Sequence, residues 1–180
     1  MKIKTLALAM TMSITATAQT PKLSKDNIEK VLQAMTLEEK ASLLVGGEYD
    51  FWSTTAVAGN SSHTVPGAAG STIAIPRLGI PETILTDGPA GVRINPTRPE
   101  TNKTFYATGF PVGSCIAATW NTELAFKVGK AIGSEVKAYN CDVILGPGMN
   151  IHRNPLCGRN FEYFSEDPYL AGKLARSYIE

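Results

Sequence analysis

The residues best suited to chemistry lie in two places. In the stretch Asp142 to Pro168, DVILGPGMNIHRNPLCGRNFEYFSEDP, a short apolar run stops at Gly146-Pro147-Gly148. Beyond it come Arg153, Arg159, Glu162, Glu166, His152, several asparagines and the aromatics Phe161, Tyr163 and Phe164, with no helical or strand period before Asp167-Pro168. A loop this long and this rich is uncommon unless it is functional or disordered, and its aromatics argue against disorder. The second place is PETILTDGPAGVR, Pro81 to Arg93, where an apolar run meets Asp87 and then a Gly-Pro turn. A carboxylate accepts hydrogen bonds from adjacent hydroxyls, and a guanidinium donates to them in fork geometry. Asp87, Arg93 and Arg159 therefore form a set able to grip the hydroxyl pairs of a ring sugar, provided both strand ends open on one face. The carboxyl ends of parallel strands are where α/β proteins place their ligands.

Each of these residues also has a plainer use. Asp87 can cap the Gly88-Pro89 turn. Arg159 can pair with Glu162 or Glu166, and Arg93 can orient Asp87 instead of touching a ligand. His152 and Arg153 read as braces bonded to backbone. Glu166 reads as a partner for an arginine and Asp167 as a helix cap. Trp52 and Trp120 both have a flat face suited to stacking on a sugar. Trp120 directly precedes a helix cap and reads as core, which leaves Trp52 as the candidate platform.

The elements that must position these groups are legible in outline. Ser24 reads as the cap of a helix with Ile28, Val31, Leu32 and Met35 on one face, and Thr36 with Glu39 forms a capping box for the next, turning Ala41, Leu44 and Val45 inward. Residues 48–75 are rich in Gly, Ser, Thr and Ala and read as a long loop. Phe110 to Ala118 reads as a strand, with Cys115 a buried small hydrophobe within it. Asn121 caps a helix with Leu124, Val128, Ile132 and Val136 inward; a strand follows from Asp142. A last helix starts at the Asp167 cap and Pro168, with Leu170, Leu174 and Tyr178 at helical spacing up to Glu180. Alternating strands and helices indicate a parallel α/β architecture.

At the level of motifs the chain resembles the N-terminal part of the family 3 glycoside hydrolases, in the β-glucosidase branch. The similarity runs from MTLEEKASLL through PRLGIP, TDGPAGVRINPT, FPVGSCIAATWN and NIHRNPLCGRNFEYFSEDP, nearly the whole chain after residue 18. The resemblance implies a (β/α)8 TIM-type barrel. It also implies that Asp87 binds hydroxyls of the terminal glucosyl unit in subsite −1, with Arg159 and Arg93 beside it. A complete barrel takes about 250 residues, and the chain has 180. The expected fold is thus an incomplete (β/α)8 barrel, about the first three strand-helix units behind an N-terminal helical lead-in. In this family the nucleophilic aspartate lies in an SDW-like segment preceded by a Lys-His pair, and the acid/base glutamate in a second domain. Neither motif occurs here, so no catalytic residue is assigned. The expectation is the amino-terminal part of a retaining exo-β-glycosidase that releases terminal β-D-glucosyl residues from β-glucosides or oligosaccharides, inactive without its C-terminal remainder. β-Xylosidase or arabinofuranosidase specificity, or a non-catalytic sugar-binding role, are the alternatives. Asp87 and Glu162 are not the catalytic pair, since a carboxylate holding ring hydroxyls cannot also attack the anomeric carbon.

Composition bounds the remainder. Seventeen basic against sixteen acidic residues leave a net charge of +1, without runs of either sign, which gives no footprint for nucleic acid. Met1 to Ala18 combines Lys2 and Lys4 with a short apolar stretch and an Ala-Thr-Ala end, the pattern of a secretory signal removed before residue 19. It is too short to span a membrane. A secreted or periplasmic product is expected, with residues 19–180 as one piece of one domain. The three cysteines, Cys115, Cys141 and Cys157, lack ligand spacing with His63 or His152, so no metal is expected. No cofactor is expected either.

Overall fold

The computed structural model describes residues 20–46, 64–98 and 100–180. The expected signal segment and Trp52 lie outside the described residues. Two short helices, α1 (Ile28–Ala34) and α2 (Leu37–Val45), lead in. The capping box of α2 is present as read: Thr36 Oγ1 accepts from the Glu39 amide at 3.2 Å and Glu39 Oε2 from the Thr36 amide at 2.9 Å. Its inward face is not the expected one. Leu44 and Val45 are 90% and 77% exposed, whereas Leu43 packs with Val31, Met35, Ile75, Leu78 and Ile80 in a small second core. Apolar residues occupy more than one side of this nine-residue helix, so spacing alone selects no face. The cap of α1 is also shifted. Asn27 occupies the N-cap position without a side-chain bond to the helix, and its Oδ1 accepts from the Ser24 amide instead.

Three strands form the sheet, in order β1 (Gly70–Ser71), β2 (Ile84–Asp87), β3 (Val143–Leu145). β1 runs antiparallel to β2, while β2 and β3 are parallel with Asp87 opposite Leu145. Asp142 joins the pair from below: its Oδ2 accepts from the Ile84 amide at 2.8 Å. Between β2 and β3 come α3 (Gly113–Ala118) and α4 (Thr122–Ala138); α5 (Pro168–Ile179) follows β3. The segment read as a strand at 110–118 is therefore a helix at its core. Gly113, Ile116 and Ala117, spaced i, i+3, i+4, are its buried side. That rotation leaves Cys115 exposed, not buried.

Helix α4 is capped by Asn121, whose Oδ1 accepts from the Leu124 amide at 3.0 Å, and α5 by Asp167, accepting from the Tyr169 amide at 2.9 Å. The main core joins the inner face of α4 (Ala125, Val128, Ile132, Val136) to that of α5 (Ala171, Leu174, Ala175, Tyr178), with Ile84, Ile116 and Phe164. Ala125 takes the inward place expected for Leu124, which is 38% exposed. Trp120 is not core either. It is 74% exposed with φ of 53°, because the tight α3–α4 junction is made in left-handed backbone that turns the ring outward. Among the described residues no helix is long and apolar enough to cross a membrane.

Candidate functional site

Strand β2 delivers Asp87 to its carboxyl end, and the chain then turns tightly. Gly88 and Gly91 have φ of 141° and 129°, values that L side chains rarely adopt. The turn is locked at both ends: the Arg93 amide donates to the Asp87 carbonyl at 2.9 Å, and the wholly buried Thr86 donates from Oγ1 to the Arg93 carbonyl at 2.8 Å. A third tether comes from α5, where the Tyr178 hydroxyl donates to the Pro89 carbonyl at 3.1 Å. Asp87 and Arg93 thereby face each other across a small, fixed loop. Arg93 Nη1 stands 3.9 Å from Asp87 Oδ2, with the two side chains 50% and 47% exposed. That separation is an ion pair open to solvent, with both groups accessible to a ligand.

The second loop meets the first. Because β2 and β3 are parallel and in register, their following turns leave the sheet on the same side, and they touch. A Cβ on Gly146 would lie 3.1 Å from Pro89 Cα. Downstream, Gly148 bridges to Tyr163, His152 Nε2 lies 3.1 Å from the Tyr163 carbonyl oxygen, and the His152 amide donates to the Ser165 carbonyl at 3.2 Å. His152 braces the loop as read from its sequence. Arg153 does not, being exposed with no hydrogen bond among the described residues. A 3-10 turn at Asn160–Glu162 places Arg159 and Glu162. Arg159 Nε bonds Glu162 Oε1, and the guanidinium carbon lies 5.8 Å from the Tyr163 ring centre. Glu162, not Glu166, is thus the partner of Arg159. These neighbours raise the pKa of Arg159: the Glu162 hydrogen bond first, then the charges of Glu162 and Tyr163, with Asp87 adding to them from the other loop.

Chemically this is a carboxylate facing a guanidinium at the carboxyl end of a parallel strand pair, with a second guanidinium, Arg159, carried by the loop that follows the neighbouring strand. It suits a neutral, hydroxyl-rich ligand, which can donate to Asp87 and accept from the arginines at once. A cavity of about 460 Å³ opens elsewhere, at the amino end of β3, lined by Gly133, Val136, Lys137, Asn140, Cys141 and Asp142. Its polar side chains are Lys137, Asn140 and Asp142, and Asp142 Oδ2 is already engaged by the Ile84 amide. Burial first, then the Asp142 charge, pushes the Cys141 thiol there upward. Among the described residues no group of three or more His, Cys, Asp or Glu side chains is placed to hold a metal ion.

Comparison with known proteins decides the lineage. Residues 73–180 match the family described as Glycosyl hydrolase family 3 N terminal domain. The chain belongs to glycosyl hydrolase family 3. It is 46% identical over 157 residues to thermostable beta-glucosidase B of Acetivibrio thermocellus, covering 86% of this chain and 18% of that protein. A solved structure of beta-glucosidase 3B from Thermotoga neapolitana, in complex with alpha-D-glucose, superposes with a TM-score of 0.73 at 53% identity, over 83% of this chain and 20% of the other. An exo-alpha-(1->6)-L-arabinopyranosidase of Bifidobacterium longum is 43% identical over 150 residues, 81% of this chain and 17% of that one. The chain thus spans about a fifth of the length of these relatives. This family 3 chain is α/β, and with a helix where a strand is expected at 110–118, the described residues hold two parallel strands in place of three.

Two contributors to the site escape a reading by residue type. Thr86 and Tyr178 hold the Asp87 turn through backbone carbonyls, yet one sits in an apolar strand and the other counts toward the apolar side of α5. Only the fold shows where their hydroxyls point.

Proposed function

We propose that this chain is the glycone-gripping part of a retaining exo-β-glycosidase of the β-glucosidase type. Asp87 accepts from adjacent hydroxyls of a terminal glucosyl unit, and Arg159 and Arg93 donate to their oxygens. The observation that carries this reading is the open Asp87–Arg93 pair at the carboxyl end of β2, with the turn after the parallel strand β3, which leads to Arg159, packed against it. The family supports it, as do the β-glucosidases among the relatives and the alpha-D-glucose in the Thermotoga structure. In this reading β2, β3 and their helices are an incomplete (β/α)8 barrel, and Trp52 is a stacking platform. Residues 19–180 form one domain piece, exported by Met1 to Ala18.

Double displacement needs two carboxyl groups about 5 to 5.5 Å apart across the anomeric centre. The SDW-like segment with its preceding Lys-His pair, where the family resemblance puts the nucleophile, is not in this sequence, and the resemblance puts the acid/base in a second domain, so we assign both to sequence outside this chain. The chain alone then binds a sugar without cleaving it. Arabinopyranoside specificity is the second reading, favoured by the Bifidobacterium relative.

Amide NMR titration of the chain with D-glucose, D-xylose and L-arabinose tests both. Under the first reading glucose shifts resonances at Asp87, Gly88, Gly91 and around Arg159 at the lowest concentration. Preferential response to arabinose favours the second reading, and no response there to any sugar refutes both. Turnover of an aryl β-glucoside by the pure chain would refute the placement of the nucleophile elsewhere.

A further inference from the structure

Arg159 is 71% exposed, whereas the Glu162 side chain bonded to it is only 13% exposed. The carboxylate is rooted in the fold and the arginine reaches out from it. The rooting is unusually tight. A Cβ on Gly148 would lie 2.8 Å from the Glu162 carbonyl oxygen, and one on Gly113 would lie 2.9 Å from the Glu162 carbonyl carbon, so two glycines from separate elements close on this backbone. Ser114 Oγ donates to the Phe161 carbonyl at 2.9 Å, and Gly148 pairs with Tyr163 on the other side. A guanidinium carries five N–H donors in a rigid fork. Glu162 engages Arg159 at Nε, and no other hydrogen-bond partner of Arg159 is present among the described residues.

We propose that Glu162 is a positioning residue for sugar recognition: by taking up Nε of Arg159 it presents the two terminal nitrogens of that guanidinium as a two-pronged donor to adjacent hydroxyls beside Asp87. The inference rests on the sugar-gripping reading and deepens it. An arginine held only by its aliphatic stem would sample many rotamers and lose much of that order on binding. With Nε fixed, the fork is set before the ligand arrives, which lowers the ordering cost of association. Glu162 itself touches no sugar.

The test uses the full chain and D-glucose as probe, with the variants R159A, E162A, E162Q and R159A/E162A, and the monodeoxyglucoses in parallel. R159A and E162A each weaken glucose binding by about 10-fold. The double variant is no weaker than R159A, and E162Q, whose amide oxygen still accepts from Nε, recovers most of the loss. The wild-type chain discriminates against those deoxyglucoses that lack a gripped hydroxyl; E162A loses that discrimination, whereas a merely structural defect would weaken every sugar alike. The Arg159 Nε–Hε NMR signal is protected from exchange in wild type and E162Q and unprotected in E162A. Multiplicative losses in the double variant, full affinity in E162A, or an unchanged Nε–Hε signal would each overturn the proposal. Should E162A not fold, E162Q decides on the same two readouts: a protected signal with retained discrimination supports the role, and loss of protection with full affinity refutes it. If wild type fails to bind glucose, the sugar-gripping reading falls, and the Nε–Hε comparison still reports on Glu162.

Discussion

Tyr178 offers a perturbation whose size follows from the structure. The residue is 6% exposed in the last turn of α5, its ring meets Phe164 edge to face at 6.4 Å, and its hydroxyl donates to the Pro89 carbonyl in the turn after Asp87. Burial pushes its phenol from 10.0 up to about 12. A group whose pKa is raised by folding adds stability that is fully present below its unfolded pKa, near 10, and is lost as pH climbs through its folded pKa, near 12. The shift of about two units corresponds to about 3 kcal/mol lost across that window. Tyr178→Phe removes the ionising group together with its hydrogen bond. It costs about 1 kcal/mol at neutral pH through the unpaired Pro89 carbonyl and has no Tyr178 component in the alkaline fall. Urea unfolding of the two proteins across pH should therefore show the wild type more stable at neutral pH and the curves crossing near about pH 11. A constant offset at every pH would refute the reasoning. So would an ultraviolet titration in which all six tyrosines of the wild type ionise together in the ordinary range while the chain is still folded.

Four further outcomes follow from the packing and the charges. Gly113→Ala drives a Cβ into the Glu162 backbone and should lose more than about 2 kcal/mol in urea unfolding, while Gly133→Ala, with nothing within 4 Å of its new Cβ, should gain about 0.5 to 1 kcal/mol through helix propensity. Asp87→Ala removes only an open 3.9 Å ion pair, so the melting curve should change by less than about 0.5 kcal/mol, yet glucose titration should show binding weakened at least about 10-fold. β3 ends the sheet order with Val143 and Leu145 38% and 44% exposed, and concentration-dependent association should appear by light scattering and diminish in Val143→Lys.

Much of the framework around Asp87 was readable because polar residues interrupt apolar runs where strands stop. Asp87 and Asp142 bracket the two parallel strands, and the caps at Asn121 and Asp167 mark α4 and α5 by local hydrogen bonding, which is a short-range signal. The misreadings have the opposite character. Residues 113–118 are small and apolar without polar contrast, so the helix is recognised only through its close approach to Glu162. The inward face of α1, where Ile28 and Leu32 are exposed while Val31 is buried, that of α2, and the outward turn of Trp120 depend on tertiary packing and on one left-handed residue. Parallel register, which brings the Asp87 and Arg159 loops together, joins positions far apart in sequence and leaves no mark on either alone.

Whether Asp87, Arg93 and Arg159 grip one hexose is answered by a crystal structure of this chain grown or soaked with D-glucose. A single pyranose should appear, its neighbouring hydroxyls bridging the Asp87 carboxylate and the Arg159 guanidinium, with Glu162 still on Nε. A folded chain that holds the sugar elsewhere, or leaves those side chains facing separate surfaces, would contradict it.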